Sequence, residues 1–155
     1  MGKNNTRPGI LILDDDCYEG NPRERKIKEL LSDCCDIKTL NYFTNESWER
    51  EEIAVFIKLK DIEDANIDIL IFDLDLLRTG EWMDGIKIMR KIKDKLPSVW
   101  NKPKIIISTH VDEAAKYLDK LDIPDNYRFH WVKLANDNDT QTNFIAIVKN
   151  IIHDL

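Results

Sequence analysis

At 155 residues, 43% of them hydrophobic and 34% charged, the chain carries enough apolar material for one core and too much for a disordered segment, yet it is too short for two full-sized domains. Its 23 Lys and Arg against 29 Asp and Glu leave a net charge of −6, which argues against a protein that works by gripping nucleic-acid phosphates or an anionic membrane. Only 5 Gly and 5 Pro leave little turn chemistry for an all-β sandwich and point to helices and strands joined by short connections.

The N-terminal stretch 1–9 is polar and reads as a tail. Ile10–Leu13 is a short apolar run that stops at Asp14, Asp15 and Asp16, as a buried strand does. From Arg23 to Cys35, the residues Ile27, Leu30, Leu31 and Cys34 share one helical face. Ile37–Phe43 is a weaker strand pattern, and Asn45 caps a long helical stretch through Ile62. Ile67–Phe72 is a second strong strand, running into Asp73 and Asp75. A helix from about Gly85 turns Ile88, Met89, Ile92 and Leu96 inward until Pro97 stops it. Lys104–Ile107 is a buried strand ending at Ser108, Thr109 and His110. Asp112–Leu121 is a short helix, Phe129–Val132 a strand ending at Lys133, and Thr142–Leu155 a closing helix.

Continuous Ile, Leu and Val runs separated by helices predict an α/β domain over residues 10–155, a parallel sheet covered on both faces. In such sheets, sites form at the carboxyl ends of the strands. The residues expected there are Asp14, Asp15, Asp16, Asp73, Ser108, Thr109 and Lys133. Two carboxylates about 4 Å apart repel by roughly 4 kcal/mol at an effective dielectric near 20, so converging acids require cations among them. Lys133 supplies one charge. Oxygen-only ligands suit Mg²⁺ for the rest. A nucleophilic carboxylate, a metal, an ammonium and a hydroxyl are also what phosphoryl transfer to an Asp requires.

These residues resemble the receiver domains of two-component response regulators, in four motifs taken in order. Asp14-Asp15 is similar to the acidic pair after the first strand. Leu-Ile-Phe-Asp73-Leu-Asp75 resembles the phosphoacceptor strand, followed by Met83-Asp84-Gly85. Ile-Ile-Ile-Ser108-Thr109 resembles the strand bearing the hydroxyl, and Trp131-Val132-Lys133 the strand bearing the lysine. The resemblance implies a doubly wound five-stranded parallel sheet in the flavodoxin-like order 2-1-3-4-5, and a phosphoryl group taken by Asp73 from a phosphohistidine. It implies Mg²⁺ held by Asp15 and Asp73, by Asp14 through water and by the backbone carbonyl of Asp75. Ser108 and Lys133 would contact the phosphoryl oxygens, and Ser108 and His130 would form the switch. Partners would be a histidine kinase or histidine phosphotransfer protein, and a downstream protein met by the fourth helix, fifth strand and fifth helix, with no nucleic acid and no membrane. The sequence ends directly after the fifth helix without an output domain, as expected either of a single-domain regulator or of a fragment of a longer chain.

The chain departs from that family where the 76–82 loop is long and lacks its Pro, where Leu134 replaces a Pro after Lys133, and where the Asp119–Arg128 connection is longer and more polar. Asp75 and His110 are expected to face each other across the entrance, beside Thr109, and to tune the lifetime of the aspartyl phosphate. Two other functions compete. One is a receiver-like interaction module that is never phosphorylated. The other is a phosphatase resembling the haloacid-dehalogenase group, with Asp73 as nucleophile and Asp75 as general acid, although that motif should open the chain and leaves Asp14 and Asp15 unexplained.

Trp82 is expected to pack on the surface, and Lys87, Arg90, Lys91, Lys93 and Lys95 to form the solvent face of their helix. Cys17, Cys34 and Cys35 are an odd number without metal-ligand spacing, which suits a reducing cytoplasm, with one of the adjacent pair in the core and one at the surface. No apolar run approaches the roughly 20 residues of a membrane span.

Overall fold

The computed structural model describes residues 7–13, 22–39, 67–75 and 82–155. The strands are β1 (Gly9–Leu13), β2 (Asp36–Thr39), β3 (Ile69–Phe72), β4 (Lys104–Ser108) and β5 (Arg128–His130). The helices are α1 (Pro22–Leu31), α2 (Met83–Lys95), α3 (Pro97–Trp100), α4 (Ala115–Lys120), α5 (Trp131–Asn136) and α6 (Asn138–His153), with a 3₁₀ turn at Asp125–Tyr127. Asp14, Asp15, Asp16, Cys17, the Asn45–Ile62 helical stretch and residues 76–81 of the long loop lie outside the described residues, as does the end of the second strand pattern beyond Thr39.

All four strand pairings are parallel, and the sheet order is β2-β1-β3-β4-β5, the flavodoxin-like α/β arrangement. The apolar runs produce it because side chains alternate faces along a strand and both faces here are covered. Leu11, Leu13, Leu70, Phe72 and Ile106 pack against α2, α3 and α4. Ile10, Ile12, Ile69, Ile71, Ile105, Ile107 and Phe129 pack against α1, Leu134 of α5, and α6. Burying each such Leu or Ile side chain is worth about 1.5–3 kcal/mol, so the two layers, rather than any surface contact, hold the sheet.

Helix ends follow local chemistry. Pro97 ends the α2 pattern as expected but also opens α3, standing at its first turn, where a missing N–H costs nothing. Asp137 caps α6, its Oδ2 accepting from Thr140 N at 2.9 Å and from Thr140 Oγ1 at 2.5 Å. In the polar Asp119–Arg128 connection, Asp122 adopts φ 59°, a left-handed conformation that Asp tolerates better than most residues. Arg128 ties that connection down through Asp119 at 2.7 Å, Asp125 at 3.0 Å and the Ile123 carbonyl.

One expected element changes identity. The last strand stops at His130 rather than Val132, and Trp131–Asn136 is helical. The cause lies at Leu134. A proline there would push Lys133 out of the helical region, whereas Leu134 allows the turn and buries itself completely in the α1/α6 layer. Lys133 therefore stands on an exposed helical turn, not at a strand end.

Candidate functional site at the carboxyl edge of the sheet

The chain leaves β1 for β2 on one side and returns to β3 on the other, so the crevice beyond the carboxyl ends of β1 and β3 is a topological switch point. Asp73 sits there, directly after β3. Its N–H donates to the Leu13 carbonyl at 2.8 Å, fastening it to the end of β1, and its Oδ1 accepts from Leu74 N at 2.8 Å. The residue is only 2% exposed. A carboxylate this deep stays ionised only with donors or charges around it, and Arg23 Nη1 lies 3.4 Å from its Oδ2.

Ser108 ends β4 and is fully buried. Phe72 pairs with Ile106, which places Ser108 just past the same edge as Asp73. Its Oγ accepts from His110 N at 3.1 Å, so the turn after β4 is built on the serine. Ser108 is also the register partner of His130, the last residue of β5, which makes the two expected switch residues neighbours across the sheet. Thr109 is half-buried in the intervening turn.

Asp75 and His110 come together at the mouth, with His110 Nε2 3.7 Å from Asp75 Oδ2. The other ring nitrogen, Nδ1, is 2.7 Å from Glu113 Oε2. Between Asp73 and Asp75, Leu74 is held by Gly85 in the first turn of α2, whose N–H donates to the Leu74 carbonyl at 2.9 Å. A methyl group on Gly85 would lie 2.4 Å from that oxygen and 2.7 Å from Leu74 Cα, so only glycine permits this approach.

Lys133 is placed elsewhere. It lines a cleft of about 590 Å³ together with His130, Arg128, Asp112 and Asp139; neither Asp73 nor Ser108 is among the lining residues. The charge of Lys133 helps to hold the Asp137 carboxyl below its ordinary range, after the larger effect of the Thr140 hydrogen bonds. Of the Mg²⁺ ligands implied by the resemblance, Asp14 and Asp15 lie outside the described residues, and Asp73 and Asp75 stand one residue apart beyond β3. Among the described residues, no three His, Cys, Asp or Glu side chains cluster as a metal site.

Sequence reasoning gave no site role to Arg23, to Trp131, whose ring centroid lies 5.2 Å from the Arg23 guanidinium carbon, or to Glu113. Arg23 left a signal: a cation in the first turn of a helix opposes the helix dipole and suggests a carboxylate partner. Glu113 stands three residues after His110 in a turn, without a pattern to mark it.

Other expectations concern the surroundings. Trp82 is half-buried, its ring 5.7 Å from Tyr117. Lys87, Arg90, Lys91, Lys93 and Lys95 are all exposed on α2. Cys35 is buried and Cys34 half-buried, with their sulfurs 3.5 Å apart. Burial, followed by the hydrogen bond with Cys34, pushes the Cys35 thiol up to about 12. Among the described residues, no helix is long and apolar enough to cross a membrane.

Fold and site together define a flavodoxin-like α/β domain with a buried, cation-paired carboxylate at its switch point. Compared with family models, curated proteins and solved structures, the chain matches none.

Proposed function

We propose that this chain is a phosphoacceptor signalling domain of the receiver type. The carrying observation is the 2% exposed Asp73 at the sheet's switch point, with the buried Ser108 hydroxyl at the end of the neighbouring strand. Asp73 would attack the phosphorus of a phosphohistidine as the P–N bond breaks; the electron pair goes to the imidazole nitrogen, which takes up a proton from solvent. Water later cleaves the aspartyl phosphate to Asp73 and inorganic phosphate.

Ser108 would donate to one phosphoryl oxygen, releasing the His110 N–H it now accepts, and His130 beside it would carry the change toward α4, β5 and α6. That surface would meet the downstream protein, and a histidine kinase or phosphotransfer protein would supply the phosphoryl group. The oxygen donors beyond β3 suit a hard cation. Asp73 and the Asp75 carbonyl would hold Mg²⁺ with Asp15, and with Asp14 through water, and the ion would neutralise charge developing on the phosphoryl oxygens. Asp75 and His110 at the mouth would control the approach of water to the phosphoryl group. The free thiols of Cys34 and Cys35 accord with a cytoplasmic setting.

A second reading, an unphosphorylated interaction module, is favoured by Lys133 standing on an exposed helix and by Arg23 already occupying Asp73. Incubation with Mg²⁺ and acetyl phosphate separates the two. The receiver reading expects one phosphoryl mass increment, labile to base and absent from Asp73→Asn. No adduct leaves the interaction module, and steady hydrolysis of a phosphate ester would instead mark a phosphatase using Asp73 and Asp75.

A further inference from the structure

Receiver chemistry on Asp73 requires a fixed cation to hold the phosphoryl oxygens, and Lys133 is displaced from the strand end where it was expected. Resting on the receiver reading, we infer that Arg23 holds the phosphoryl oxygens over Asp73, with Trp131 as its platform. Arg23 stands in the first turn of α1, at the carboxyl edge of the sheet, with its side chain only 15% exposed and Nη1 3.4 Å from Asp73 Oδ2. Its guanidinium carbon lies 5.2 Å from the centroid of the Trp131 ring.

The two contacts are compatible because they use different parts of the guanidinium. A guanidinium can meet an aromatic ring through its π face, while its N–H donors lie in its plane and remain able to reach oxygen acceptors. Phosphorylation of Asp73 would replace a single negative charge by a larger one, carried on oxygens spaced to accept two in-plane donors. Trp131 opens the helical turn that carries Lys133, so the element that sets the lysine on an exposed turn also places the ring beside Arg23. A purely structural role would make Arg23 a counter-ion for a buried carboxylate and nothing more. That alternative predicts a stability change on substitution, but no separate effect on an anion bound at Asp73.

The test is beryllofluoride binding in the presence of Mg²⁺, followed by fluorine NMR of the bound anion and by tryptophan emission. Wild type, Asp73→Asn, Arg23→Gln, Arg23→Lys, Lys133→Ala and Trp131→Leu would be compared at a temperature where near-ultraviolet circular dichroism shows each to be folded. Loss of a charged, two-donor contact is expected to weaken binding about 10- to 100-fold in Arg23→Gln. Arg23→Lys recovers part of this, since an ammonium keeps the charge but neither forks nor stacks equally well. Trp131→Leu weakens binding severalfold with Arg23 intact, and it serves as the deciding variant if Arg23→Gln does not fold. Lys133→Ala shows a smaller loss than Arg23→Gln.

If wild type binds and Arg23→Gln, or Trp131→Leu in its place, binds equally well, the inference about Arg23 fails and the receiver reading stands. A Lys133→Ala loss that equals or exceeds that of Arg23→Gln overturns it as well. If wild type itself neither binds beryllofluoride nor takes a phosphoryl group, the receiver reading fails and this inference goes with it.

Discussion

Gly85 lies in the first turn of a helix, where replacement of Gly by Ala ordinarily stabilises a protein by roughly 0.5–1 kcal/mol through backbone entropy. The structure reverses that sign. A Cβ added at Gly85 would sit 2.4 Å from the Leu74 carbonyl oxygen, 2.7 Å from its Cα and 2.8 Å from its carbonyl carbon. All three are backbone atoms, so no side-chain rotation relieves the overlap. Overpacking of this kind costs about 1–3 kcal/mol, and displacement of Leu74 also weakens the Gly85 N–H bond to its carbonyl, worth about 1 kcal/mol. After subtracting the helix gain, Gly85→Ala should destabilise by about 2 kcal/mol, lowering Tm by roughly 4–8 °C for a domain of this size. Leu74 joins Asp73 to Asp75, so under the proposed function the same variant should reduce beryllofluoride binding. Thermal melts by far-ultraviolet circular dichroism measure the first effect, with Lys87→Ala on the exposed face of α2 as a control expected within about 0.5 kcal/mol of wild type. A Tm at or above that of wild type would refute the close-approach argument.

Phe144 is fully buried with its ring edge-on to Phe129, centroids 5.3 Å apart at 86°. Phe144→Ala should therefore cost about 3–5 kcal/mol in urea unfolding. Cys35, with its thiol pushed up to about 12, should resist iodoacetamide at pH 8 in the folded protein and react on denaturation; mass mapping of the labelled cysteine checks this. Because its folded value lies above the ordinary 9.0, its contribution to stability is complete below pH 9 and declines as alkaline pH ionises it in the unfolded chain. Asp137 behaves oppositely: its carboxyl is held below 3.8 by Thr140, so its stabilisation is present above that pH and fades as acid protonates it. The Tm gap between wild type and Asp137→Ala should accordingly narrow in acid melts.

The buried carboxylate of Asp73 and its hydroxyl neighbour Ser108 were legible in the chain because they are local events. Ile-Leu-Ile-Phe followed by Asp73, and Ile-Ile-Ile followed by Ser108, mark where a buried strand reaches water, and parallel strands bring all such endings to one edge. The Asp75–His110 approach followed from equal offsets beyond two adjacent strands. Lys133 fails the same reasoning, since Trp131-Val132-Lys133 reads as strand by propensity while burial of Leu134 rewards a helical turn. The partners of Arg23 were hidden because Asp73 and Trp131 are distant from it in sequence and meet it only when α1 packs beside α5 and α6 on one face of the sheet.

The sequence by itself determined the α/β class, the two-sided burial and the strand-end carboxylate, since periodicity and run length act within a few residues. Which cation reaches that carboxylate, and why Gly85 must be glycine, were decided by the tertiary structure. Ion pairs and backbone contacts fall off within a few ångströms, and only packing sets those distances.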